Sequence, residues 1–176
     1  MSIWNPWKGC HKKSEGCKNC YIHRANARKG IDTDYIYKTD EFECLLVKDA
    51  KGNYKIKSGQ IVYVCFNSDF LVEEADEWRE EAWKMMIERK DVTFLFLTKR
   101  IERFKVGLPK EWEDGYDHIV VGTTVENQQR ADERLTALKE MPIKHKVITI
   151  QPMLEQINIE EYLKNLLEVE GVEYKY

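Results

Sequence analysis

The chain has 176 residues, 43% of them hydrophobic and 34% charged, with a net charge of −3 at pH 7, a size and balance that suit one globular domain. No segment approaches the roughly 18 consecutive apolar residues of a membrane helix, and the opening MSIWNPWKGC lacks the basic flank and apolar stretch of a signal peptide, so the expected setting is cytoplasmic, with no membrane partner. In that reducing compartment five cysteines, three of them between residues 10 and 20, point to metal or redox chemistry more readily than to a disulfide framework.

The first element is a loop, residues 4–23, with the spacing Cys10-x6-Cys17-x2-Cys20. Within residues 1–30, seven cations (Lys8, Lys12, Lys13, Lys18, Arg24, Arg28, Lys29) face one acid, Glu15, so this stretch carries +6 and the remainder −9. Nearby cations lower thiol pKa values and attract anions; taken one at a time, such lysines more often only face solvent. Three cysteines fall one short of a tetrahedral zinc site, and His23, on a helix expected after Cys20, is the nearest fourth ligand. Three thiolates also suffice for an iron–sulfur cluster in which three irons are held by protein and the fourth stays open. Both metals remain open on spacing alone.

Residues 36–60, with ECLLVKD, the turn-rich AKGN and YKIKSG, predict a hairpin or irregular insertion. Beyond residue 60, apolar or β-branched runs at 61–66, 92–97, 118–122 and 146–150 predict buried parallel strands separated by helical segments. Leu71, Ala75, Trp78, Ala82 and Met85 line one face of the first helix; Ala131, Leu135 and Leu138 line another, and Ile159, Leu163, Leu166 and Leu167 the last, opened by Asn158 and Glu161. Trp78, Trp83, Met85 and Met86 read as core. Repeated βα units give either a barrel-like curl or an open doubly wound sheet.

In either architecture the loops after the strands share one face, where ligands bind. Those loops carry Asn67, Ser68 and Asp69; Thr98, Lys99 and Arg100; Thr123, Thr124, Glu126 and Asn127; and Gln151 before Pro152. Such a ring suits a zwitterionic or phosphorylated ligand, although strand ends are often polar because they start helices, and Thr124 and Asn127 could be caps. Cys44 and Cys65 are expected elsewhere, Cys65 as a small hydrophobe packed in its strand.

WNPWKGCHKKSEGCKNCY, FNSDF, FLTKR, GTTVENQ and QPML, in that order, resemble a phage- and prophage-associated family of three-cysteine proteins of unknown function, grouped with the radical S-adenosylmethionine enzymes. The resemblance runs nearly end to end. It implies an α/β fold, a partial (β/α) TIM-like barrel of parallel strands over residues 1–176, with the cysteine loop following a short first strand and the last barrel strands missing. It also implies that Cys10, Cys17 and Cys20 ligate a [4Fe-4S] cluster whose open iron chelates S-adenosylmethionine, for radical chemistry on an unknown substrate. By position Asn67, Ser68, Asp69, Lys99, Arg100, Thr124, Glu126 and Gln151 are then the candidate cofactor-binding residues. An unpaired edge near GVEYKY would be covered by a second copy as a homodimer. The alternatives are a zinc-binding, nucleic-acid-associated module using the same cysteines, and a metal-free phage accessory protein.

Overall fold

The computed structural model describes residues 2–167. Five parallel strands make the sheet: β1 (Ser2–Trp4), β4 (Ile61–Val64), β5 (Thr93–Thr98), β6 (Ile119–Thr124) and β7 (His145–Thr149), side by side in that order. β2 (Trp7–Lys8) pairs antiparallel with β3 (Tyr37–Lys38) in a separate two-stranded ladder. The helices are α1 (Tyr21–Ala27), α2 (Asp76–Glu88), α3 (Gln128–Lys139) and α4 (Glu160–Leu167).

Strand order follows chain order, without the reversal that defines a doubly wound sheet. Right-handed crossovers then bring the connections to one face. On that face Val62, Val64, Phe94 and Phe96 are fully buried, against Trp83, Met86 and their neighbours. The opposite face carries the register row Ile3, Tyr63, Leu95 and Val120, of which Ile3 is 59% exposed and the other three are half-buried. A sheet wound in one direction with one half-covered face is compatible with part of a β/α barrel, and among the described residues it does not close. The GVEYKY stretch, with the edge and dimer expected of it, lies outside the described residues.

The predicted strands form with ends shifted by one or two residues. α2 buries Ala82, Trp83, Met85 and Met86, and α3 buries Ala131, Leu135 and Leu138. Asn127 is the cap of α3, its side chain accepting from Arg130 N at 2.9 Å, while Thr124 instead pairs with the Thr149 hydroxyl at 2.9 Å. Asn158 accepts from Glu160 N at 3.0 Å at the start of α4. One connection departs from the βα expectation. Between β5 and β6 the chain makes two short 3-10 turns, Ile101–Arg103 and Lys110–Trp112, instead of an α-helix. Gly107, at φ +71°, and Pro109 interrupt the run there.

The insertion contains a tight turn in which the Asp49 carboxylate accepts from Lys51 N and Asn53 N, and Lys48 bridges Tyr54. Its Phe42 and Leu45 are buried in the core. Arg89, fully buried, clamps it by donating to Leu45 O and, at 2.7 Å, to Ile56 O, with Asp91 as its counter-ion at 2.8 Å.

Candidate functional site

The tryptophans of the opening motif are structural. Trp4 is buried and donates to Phe42 O at 3.1 Å; Trp7 donates to Asp69 O at 3.1 Å and stacks on Phe70. Asn5 accepts from Asn67 N at 3.1 Å, tying the end of β1 to the loop after β4. Gly9 follows at φ +93°, where a side chain would strike Tyr35 O. Together these turns deliver Cys10 over the strand ends, with Cys10 N bonded to Thr33 O at 2.8 Å. Cys17 closes a 3-10 turn, Glu15–Cys17, and Cys20 is the N-terminal cap of α1.

Cys10, Cys17 and Cys20, all free and partly buried, line one cavity of about 480 Å³ at the strand C-termini. Of the eight residues expected around a cofactor, Ser68, Asp69, Lys99, Arg100, Thr124 and Gln151 line it as well. Asn67 is exposed beside the cavity, with its backbone held by Asn5. Glu126 lies behind the cysteine loop, fully buried and paired with Arg134 at 2.8 Å.

Several of these polar residues hold the loop in place. The Glu126 carboxylate accepts from Ser14 Oγ and, at 3.3 Å, from Gly16 N, while Arg134 donates to Ser14 Oγ at 2.8 Å and to Thr124 O at 2.5 Å. A Cβ at Gly16 would stand 3.0 Å from Glu126 Cδ, so a larger residue there would have to push the Glu126 side chain aside. Arg130 grips Glu15 at 2.9 Å, and Lys13 pairs with Glu102 at 2.6 Å. Arg100, 3% exposed, donates to His11 O at 3.0 Å and to Asp69 at 3.2 Å, with Cys10 Sγ at 4.0 Å. Asp69 is filled by Leu71 N, Thr98 Oγ1, Lys99 N and Arg100. Sequence reasoning did not single out Ser14, Lys13, Glu102, Arg130 or Arg134 for this role, since partners more than 80 residues apart leave no local pattern.

Two further expectations change. Burial pushes the Cys10 thiol up to about 12, with Asp69 adding to the rise and Arg100 opposing it; the basic surroundings do not by themselves yield a thiolate there, and a metal ion would have to displace the proton. Cys65 is not apart from the other three: it is buried yet lines the same cavity. Its φ of +55° takes it out of the β4 alternation and turns it onto the cavity wall. Cys44 packs within the insertion, as expected.

A family model described as a protein of unknown function, DUF5131, matches residues 1–171. The chain belongs to the DUF5131 family. Comparison with curated proteins and with solved structures gives no match. In this DUF5131 chain the fit of a metal can be tested on the donors themselves. A single tetrahedral zinc, with bonds of about 2.3 Å to sulfur, draws its ligands to within about 4 Å of one another. Among the described residues no three His, Cys, Asp or Glu side chains stand together so as to hold one ion. The His23 ring meets the Cys10 backbone, and burial is the first influence lowering its pKa. In a cluster each thiolate binds a separate iron, and Cys10, Cys17 and Cys20, which line one cavity, are the residues that would hold one.

Proposed function

We propose that the chain is a radical S-adenosylmethionine-type iron–sulfur enzyme, cytoplasmic and phage-associated. The observation that carries this reading is that Cys10, Cys17 and Cys20 open onto one cavity ringed by Ser68, Lys99, Thr124, Thr149 and Gln151 at the ends of four parallel strands. The three thiolates would hold the cluster, leaving one iron to the cofactor. When bound, the cluster and S-adenosylmethionine supply one-electron chemistry for hydrogen abstraction. The chain's own part is to fix that site. Arg100, Glu126 and Arg130 hold the cysteine loop from three elements, so the ligating side chains are presented from a docked loop. Ser68, Thr124, Thr149 and Gln151 offer uncharged polar groups to a zwitterionic ligand. Leu97, Ile22 and Phe66 form an apolar lining that limits water.

The test is reduction of the iron-loaded chain with dithionite in the presence of S-adenosylmethionine. Release of methionine and 5′-deoxyadenosine, abolished by Cys→Ser at residue 10, 17 or 20, is expected. An iron-loaded chain that leaves the cofactor intact under these conditions contradicts the proposal.

A further inference from the structure

The cations around the cavity fall into two classes. Lys13, Arg100, Arg130 and Arg134 are each paired with a carboxylate. Lys99 and Arg24 line the cavity and, among the described residues, their side chains have neither an ion pair nor a hydrogen bond. The one acid in the lining, Asp69, is already filled by its neighbours. Apart from its cysteines, the cavity therefore presents two cations without a carboxylate partner and no free carboxylate. Lys99 is also half-buried.

Two other features narrow the anion's chemistry. Tyr21 and Phe66 stand in the same wall, with the Tyr21 hydroxyl donating to Phe66 O at 2.7 Å, so that the tyrosine is tied across the mouth. Aromatic faces of this kind take flat rings by stacking. Outside the mouth the positive charge continues along α1 and its ends: Arg28 lies four residues after Arg24, and Lys18, Arg28 and Lys29 are exposed with no acid partner among the described residues. A chain that is acidic overall is basic at this opening.

Resting on the reading of this cavity as the reaction site, we propose that its substrate is a nucleotide, free or within a single strand, with phosphate between Lys99 and Arg24 and the base against Tyr21 and Phe66. The two cations supply charge-assisted bonds to phosphate oxygens, and the rings supply a contact tolerant of base identity. The exposed row beyond Arg24 would meet the phosphates of neighbouring nucleotides where the substrate is a strand.

The full chain, purified without oxygen and with iron content and visible absorbance recorded for each sample, is titrated calorimetrically with uridine 5′-monophosphate, uridine and a short single-stranded oligouridylate. Binding of the monophosphate or the oligonucleotide is expected, with uridine weaker by about tenfold or more (about 1.4 kcal/mol). Lys99→Gln and Arg24→Gln should each lose about as much, and Lys51→Gln, in the insertion turn, should lose nothing. Oligonucleotide binding without monophosphate binding assigns a strand; binding of both shows that a free nucleotide suffices. Wild-type chain that does not distinguish monophosphate from uridine and does not bind the oligonucleotide overturns the proposal, whatever the variants do. So do Lys99→Gln and Arg24→Gln chains of unchanged unfolding midpoint that bind as wild type. Phosphate-dependent binding by an iron-free chain would retain this inference and remove the cluster; an iron-loaded chain indifferent to phosphate would do the reverse.

Discussion

Glu126 is expected to act by holding the cysteine loop, and Glu126→Ala makes that role measurable. Its carboxylate is fully buried, accepts from Arg134 at 2.8 Å and Gly16 N at 3.3 Å, and receives the Ser14 hydroxyl. Truncation leaves the Arg134 guanidinium, 4% exposed, with no carboxylate. Removing one member of a buried ion pair costs about 3–5 kcal/mol, a large part of the roughly 5–15 kcal/mol that holds a domain together. In a chain of this size each kcal/mol lowers the melting temperature by about 2–4 °C, so a fall of about 6–20 °C follows. Because Ser14 and Gly16 belong to the loop, the damage should concentrate there. Iodoacetamide labelling of Cys17 and Cys20, followed by mass spectrometry, should then be faster in the variant at temperatures where the sheet is still folded. Glu126→Gln, which keeps the shape and some hydrogen bonds, should fall between. A Glu126→Ala chain melting within about 2 °C of wild type, with unchanged labelling rates, would refute the reasoning.

Gly16→Ala should reproduce the loop effect in milder form, because the new Cβ lies 3.0 Å from Glu126 Cδ; faster Cys17 labelling with a melting temperature lowered by only a few degrees, about 1 kcal/mol, is the expected result. Arg100→Ala should destabilise the chain by about 2 kcal/mol or more in urea unfolding, since the side chain is 3% exposed and bonded to Asp69 and His11 O; a variant as stable as wild type would show that these bonds hold nothing. Asp91, whose pKa the Arg89 hydrogen bonds lower from 3.8 to about 2, should contribute stability that is present above pH 4 and lost as pH falls from about 4 to 2. The gap in unfolding free energy between wild type and Asp91→Asn should therefore narrow across that window, and a gap that widens toward low pH would contradict the assignment.

Most of the sheet was legible in the sequence because its strands are compact β-branched and aromatic runs that tolerate burial on both faces. The choice between a barrel-like curl and a doubly wound sheet was not, because it depends on which strand lies beside which. The observed order, β1-β4-β5-β6-β7, supplies that. Gly107-Leu108-Pro109 was a readable sign that the β5–β6 connection would not form a long helix. The cysteine spacing and the polar strand ends pointed to residues that share one cavity. What the sequence concealed was the division of labour among those polar residues. Glu126 and Asp69 look like ligands in a list of strand-end acids, yet their oxygens are taken by Ser14 and Arg134 and by Thr98 and Arg100. Arg134 sits in a helix with a polar exterior, and only its approach to Ser14, 120 residues away, reveals a buried role. Cys65 packs as the buried small hydrophobe expected, but its place on the cavity wall was hidden because a left-handed residue at a strand end is invisible to alternation.

The most direct measurement is iron and acid-labile sulfide analysis of the chain purified without oxygen, alongside the variant with serine at residues 10, 17 and 20. The expected result is about four irons and four sulfides per wild-type chain with a broad absorbance near 400 nm, all lost from the triple variant. Stoichiometric zinc without sulfide, or iron retained by the triple variant, would contradict the account.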